Sequence, residues 1–117
     1  MNIIKTYQMV SDIPLSEIKT RIINYIASKK GKLEHSTNFK LTWSTGSKLK
    51  TRLLGGMAVS PSTLPVQIET IFVQTNEKTQ IEITFTDTLG FGSRAGIKNK
   101  YEQYFTTLYS EIMNLIA

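Results

Sequence analysis

Three groups of residues have types and spacing that bear on chemistry: a glycine triad, one histidine among scattered carboxylates, and a set of cations beside apolar strands. The triad lies in DTLGFGSRAG, residues 87–96, with G-x-G-x-x-x-G spacing. Such loops cradle phosphates when they lead from a buried parallel strand into a helix of a βαβ unit. Here the preceding QIEITFTD alternates as antiparallel strands do, and only 21 residues follow Gly96, too few for a helix and another strand. The Lys-Ser/Thr pair of a P-loop is also missing. Gly90, Gly92 and Gly96 are therefore expected to let the chain leave a sheet and swing across its apolar face. Phe91 and Arg94 would ride on that segment as a flap.

His35 is the sole histidine. It sits in LEHST, with no acid at metal-ligand spacing beyond the adjacent Glu34. The absence of cysteine excludes disulfides, thiolate ligands and thiol nucleophiles. Of the carboxylates, Asp12 reads as a helix cap, Glu69 and Glu82 as outward sheet positions, and Glu102 and Glu111 as polar helix positions. Asp87, with Arg94 nearby, reads as half of an ion pair fixing the loop. No nucleophile, base and orienter can be assembled from spacing, so the expectation is a non-catalytic protein with no metal and no cofactor.

The elements that position these residues follow from periodicity. Residues 2–10 fit a strand with Ile3, Tyr7 and Met9 on one face. SDIPLSEIKTRIINYIASKKG then changes period: Leu15, Ile18, Ile22, Tyr25 and Ile26 form one helical stripe, with Asp12 as the expected N-cap and Gly31 as the left-handed stop. KLEHSTNFKLTWSTGSKLKTRLLGG is read as one long strand, bulged or straight, then a Ser44-Thr45-Gly46 loop and a second strand. That register pairs Trp43 with Ser47, Leu41 with Leu49 and Phe39 with Thr51, and gives Gly46 a positive φ. VQIETIFVQ and QIEITFTD complete the strands around a turn at residues 75–79, and a parity slip in the first of them predicts a bulge near Thr70. IKNKYEQYFTTLYSEIMNLIA is a long helix with Ile97, Tyr101, Tyr104, Phe105, Leu108, Ile112, Leu115 and Ile116 on its apolar face.

The order strand, helix, four antiparallel strands, helix makes this an α+β protein. With the Gly-rich passage into KNKYEQYFTTLYSEIMNLIA, it resembles the TATA-binding-protein-like architecture. Within that architecture it is similar to the helix-grip proteins related to START domains and the birch-pollen allergen. The resemblance implies a curved antiparallel sheet, both helices on one face, and a long C-terminal helix gripped by the sheet.

Two kinds of binding follow. The first is a hydrophobic or amphipathic small molecule between sheet and C-terminal helix, lined by Trp43, Phe72, Phe85, Tyr101, Tyr104, Phe105 and Tyr109 with Phe39, Leu41 and Leu53. Phe91 and Met57 would gate it from loops. The rival reading is that these side chains simply fill a core. The second uses the uncovered sheet face, where the expected register sets Lys40 opposite Lys50 and Lys48 opposite Thr42, with Arg52 beyond. Like charges so opposed destabilise a sheet, and an anionic partner would relieve them: an acidic protein, a membrane surface or a nucleic-acid backbone.

At 117 residues, 40% hydrophobic and 20% charged, the chain fits one domain over 1–117. A net charge of +5 favours anionic partners at long range. The opening MNIIKTYQMV lacks the continuous apolar stretch of a signal peptide, and no run approaches the ~20 residues that span a bilayer. A cytoplasmic monomer or homodimer is the expectation.

Overall fold

The computed structural model describes residues 3–55, 58–89 and 95–117. The expected flap with Phe91 and Arg94, the glycines Gly90 and Gly92, and the gate residue Met57 lie outside the described residues. Five strands, β1 (Ile4–Ser11), β2 (Lys32–Ser36), β3 (Lys40–Thr45), β4 (Val66–Thr75) and β5 (Lys78–Asp87), alternate with α1 (Leu15–Ser28), α2 (Lys48–Leu54) and α3 (Ala95–Ile116). The strands form one antiparallel sheet in the order β1-β5-β4-β3-β2. Both long helices contribute to the hydrophobic cluster on one face of it.

The α1 stripe is as the spacing predicts, with Ile18, Ile22, Tyr25 and Ile26 buried. Its ends differ from the expectation. Asp12 does not cap the helix: the Pro14 carbonyl receives the amides of Glu17 and Ile18, each at 3.0 Å, and the hydroxyl of Ser11, not Asp12, receives the amide of Ile13 at 3.1 Å. At the other end Lys30, with φ 55°, takes the left-handed position expected of Gly31. The amides of Lys30 and Gly31 reach the carbonyls of Ala27 (3.0 Å) and Ile26 (2.9 Å), the two bonds of a Schellman motif. Gly31 serves another purpose, since a Cβ there would stand 2.7 Å from Trp43 Cε3.

Residues 32–54 depart furthest from expectation. The long strand is two strands, β2 and β3, turned back on each other through residues 37–39, with a register shift between Leu33 and His35. The second strand of the expected hairpin is instead the helix α2. Ser47 caps it, its hydroxyl accepting the Lys50 amide at 3.1 Å, and the turn Pro61–Thr63 anchors it through bonds from the Ser47 amide (2.8 Å) and Thr51 hydroxyl (3.1 Å) to the Thr63 carbonyl. Gly46 does have positive φ, 89°, and packs so tightly on Leu64 that a Cβ would meet its carbonyl oxygen at 2.1 Å.

β4 runs without the bulge expected near Thr70: its register with β3 and β5 is continuous. Thr70 simply faces inward, 1% exposed, among Val66, Ile68 and Phe72, while Ile71 and Val73 face outward. The turn to β5 is tighter than expected, with only Asn76 and Glu77 between the strands. β5 alternates as predicted, its Ile81, Ile83 and Phe85 fully covered.

Candidate functional site

The inner sheet face is a set of cross-strand rows. Trp43, Ile68 and Phe85 form one row across β3, β4 and β5; Leu41, Thr70 and Ile83, with Tyr7 of β1, form the next. Opposite them the α3 stripe brings Ile97, Tyr101, Tyr104, Phe105, Leu108, Ile112 and Ile116 to the same interior. Six of the predicted lining residues, Trp43, Phe72, Phe85, Tyr101, Tyr104 and Phe105, thus converge, each buried. Tyr109 lies at the border, half-buried and stacked on Tyr7 with centroids 4.1 Å apart. Leu41 is fully buried as expected. Phe39 and Leu53 do not join them, being 57% and 75% exposed. Phe39 lies beyond the covered part of the sheet, beside Pro14, Leu15 and Lys19, and Leu53 is on α2.

The rings pack on one another. Phe85 stacks on Phe105 at 5.4 Å, Tyr101 tilts against Phe105 at 5.7 Å, and Tyr7 meets Phe85 edge-on at 5.8 Å. Four recesses of about 450–490 Å³ bordered by described residues open on the surface; none is lined by the buried aromatics, and of the predicted lining only the exposed Phe39 borders one.

Polar groups divide this interior into two ends. At one, Tyr101 donates to the Pro65 carbonyl at 3.0 Å. Asp87, 1% exposed, accepts from the Ile3 amide and donates its own amide to the Ile3 carbonyl at 2.9 Å, so the acid fastens the start of β1. Burial, then the nearby Asp87 carboxylate, pushes the Tyr101 phenol well above its ordinary range.

At the other end Tyr25 stands edge-on to Trp43 at 6.1 Å and donates to Glu111 Oε1 at 2.5 Å. The Lys29 ammonium reaches the same oxygen at 2.8 Å and lies 5.6 Å from the Tyr25 ring centre. Burial and the bond to Glu111 hold the Tyr25 phenol far above its ordinary value. Burial and the Glu111 charge likewise raise Tyr104. For Glu111, burial works to raise the carboxyl, but the hydrogen bonds from Lys29 and Tyr25 and the Lys29 charge outweigh it and the net direction is down. Sequence reasoning placed Tyr7 and Tyr25 on the correct faces without assigning them to the site, and treated Glu111 as merely polar. The missed signal is spacing: Glu111 follows Tyr104 by seven residues and therefore shares its side of α3.

One polar atom stands apart. Trp43 Nε1 is buried and makes no hydrogen bond among the described residues. The indole N–H can only donate, so it is an unmatched donor inside the apolar interior.

The cations predicted for one sheet face are separated. Lys40 stays on β3, where its ammonium lies 3.2 Å from the Glu69 carboxylate on β4. Lys48, Lys50 and Arg52 are on α2, because Ser47 starts a helix where a strand was expected. Lys40 and Lys50 are thus not cross-strand partners, and the strain that the expected register implied does not arise. His35 is exposed at the β2 irregularity, and no group of three or more potential metal ligands occurs among the described residues. Nor is any helix among them long and apolar enough to cross a membrane.

No family model matches the chain, and no curated protein matches it. Solved structures do match: the crystal structure of Ara h 8.0201, a Bet v 1-like allergen, aligns over 96% of this chain and 95% of that one, with a TM-score of 0.52 and 6% identity. The chain has a helix-grip fold. The helix in the grip is α3, and the surface that grips it is the row structure built on Trp43, Ile68 and Phe85.

Proposed function

We propose that the protein is a non-catalytic binding module for a hydrophobic or amphipathic small molecule held between the inner sheet face and α3. The observation that carries this reading is the unmatched indole donor of Trp43. A buried donor without an acceptor costs about 1–3 kcal/mol, and a carbonyl, hydroxyl or carboxylate oxygen on a bound molecule would remove that cost. The surrounding aromatic and aliphatic side chains supply the apolar surface such a ligand needs, and phenols at both ends, Tyr25 with Tyr104 and Tyr101, offer further orienting groups. Because the rings are in mutual contact, entry of a ligand requires α3 to move away from the sheet.

The test is native mass spectrometry of the purified protein before and after organic extraction, followed by titration with long-chain fatty acids and alcohols while the fluorescence of Trp43, the single tryptophan, is recorded. Extractable mass, or saturable binding that shifts the indole emission, supports the reading. A bare mass with no response to any apolar probe removes it and leaves these residues as core.

A further inference from the structure

α2 is short, yet it exposes more apolar surface than its length warrants. Leu49, Leu53 and Leu54 are 68%, 75% and 64% exposed, while Thr51 is buried against the Pro61–Thr63 turn. At about 100° per residue, Leu49 and Leu53 point away from Thr51, and Lys50 and Arg52 flank them on either side. The side chain of Arg52 donates to the Leu89 carbonyl at 2.8 Å, which pins the helix to the end of β5. Lys50 also borders a recess of about 460 Å³ with Lys29, Lys30 and the hydroxyl residues Ser28, Ser47, Ser62 and Thr63. Lys29 there is paired with Glu111. No Asp or Glu occurs between Glu34 and Glu69, so the whole sequence around α2 is free of acids.

We propose that α2 is a docking surface for an anionic phospholipid bilayer. Leucines at the centre of an outward helical face, with cations at its sides, match an interface whose headgroups are negative and whose acyl boundary lies just beneath. The recess that Lys50 borders, with its lysines and hydroxyls, is suited to a headgroup phosphate. A purely electrostatic partner such as a nucleic-acid backbone leaves the outward Leu49 and Leu53 without a role. This inference stands whether or not the interior holds a ligand.

The experiment is vesicle co-sedimentation of the full chain with phosphatidylcholine alone and with phosphatidylcholine containing phosphatidylserine, each at low and high salt. Binding is expected to the anionic vesicles only. Leu49→Ser with Leu53→Ser, and separately Lys48→Glu with Lys50→Glu, should each weaken it by about tenfold or more. All four side chains are exposed, so circular dichroism and the urea midpoint should match the parent, and the charge pair serves as the second arm if the leucine pair fails to fold. Equal binding to both vesicle types, no binding to either, or a folded leucine variant that binds as the parent does would overturn the proposal. So would retention on heparin without vesicle binding, which would reassign the surface to an acidic macromolecule.

Discussion

Gly31 and the Trp43 indole share a space that holds only one of them if the glycine acquires a side chain: a Cβ would lie 2.7 Å from Trp43 Cε3 and 3.0 Å from Ile26 Cγ2. The left-handed residue of the turn after α1 is Lys30, one position before this glycine. The two positions have opposite expected responses. Gly31→Ala should destabilise by about 1–3 kcal/mol through overpacking. Lys30→Gly should stabilise by about 0.5–1 kcal/mol by removing the left-handed penalty of a side-chain-bearing residue, net of added unfolded-state entropy. Urea denaturation of both variants measures the pair, and a neutral Gly31→Ala would show that the indole moves freely.

Replacing Trp43 with its benzothienyl analogue keeps the ring volume and removes the N–H. With the donor unmatched, the ligand-free protein should gain about 1–3 kcal/mol, and affinity for any oxygen-bearing ligand at that site should fall. Loss of stability on this exchange would mean that the donor has an acceptor after all.

Glu111 and Tyr25 give the protein two pH limbs. The carboxyl of Glu111 is lowered from its ordinary 4.5 on folding, so its contribution is present above that value and disappears as pH falls through the lower folded value. The Tyr25 phenol is raised from 10.0, so its contribution is complete below that value and declines as pH climbs above it. Tyr25→Phe should reduce the alkaline limb, to which the raised Tyr101 and Tyr104 phenols also contribute, and shrink the acid one, because it removes a donor to Glu111; Glu111→Gln should abolish the Glu111 part of the acid limb. Urea midpoints measured against pH for the three proteins decide this.

The placement of Lys40 against Glu69, not against Lys50, predicts a double-mutant cycle. Lys40 and Glu69, both partly exposed at 3.2 Å, should couple by about 0.2–1 kcal/mol. Lys40 and Lys50, on a strand and a separate helix, should show no coupling within error. Substantial repulsion between the lysines would restore the hairpin register.

The parts of the fold with long, consistent periods were legible: the stripe from Leu15 to Ile26, the alternation from Ile81 to Phe85, and the face from Ile97 to Ile116. α2 was not, because Leu49, Thr51 and Leu53 satisfy a strand's period of two while Leu49 and Leu53 also satisfy a helix's spacing of four. The deciding signal was Ser47, which caps as serine commonly does. Thr70 misled in another way: a polar residue facing the core makes a regular strand look slipped. The buried aromatics of the candidate site were visible as apolar periodicity, but Gly31 beneath Trp43 and the link from Tyr25 to Glu111 depend on contacts between segments that no local pattern encodes.

The pairing of β1 with β5 joins Ile4 to Thr86 and Ser11 to Thr79, and the Ser11 hydroxyl donates to the Ile116 carbonyl at the far end of α3. β1 thus has no partner strand until β5 (Lys78–Asp87) exists. Contacts so distant in sequence carry a large loop-closure cost before they return any stability, and topologies dominated by them fold slowly. On the ribosome, the hairpin of β4 and β5 joins adjacent segments, whereas β1, made earlier than either, waits for β5 before it can enter the sheet.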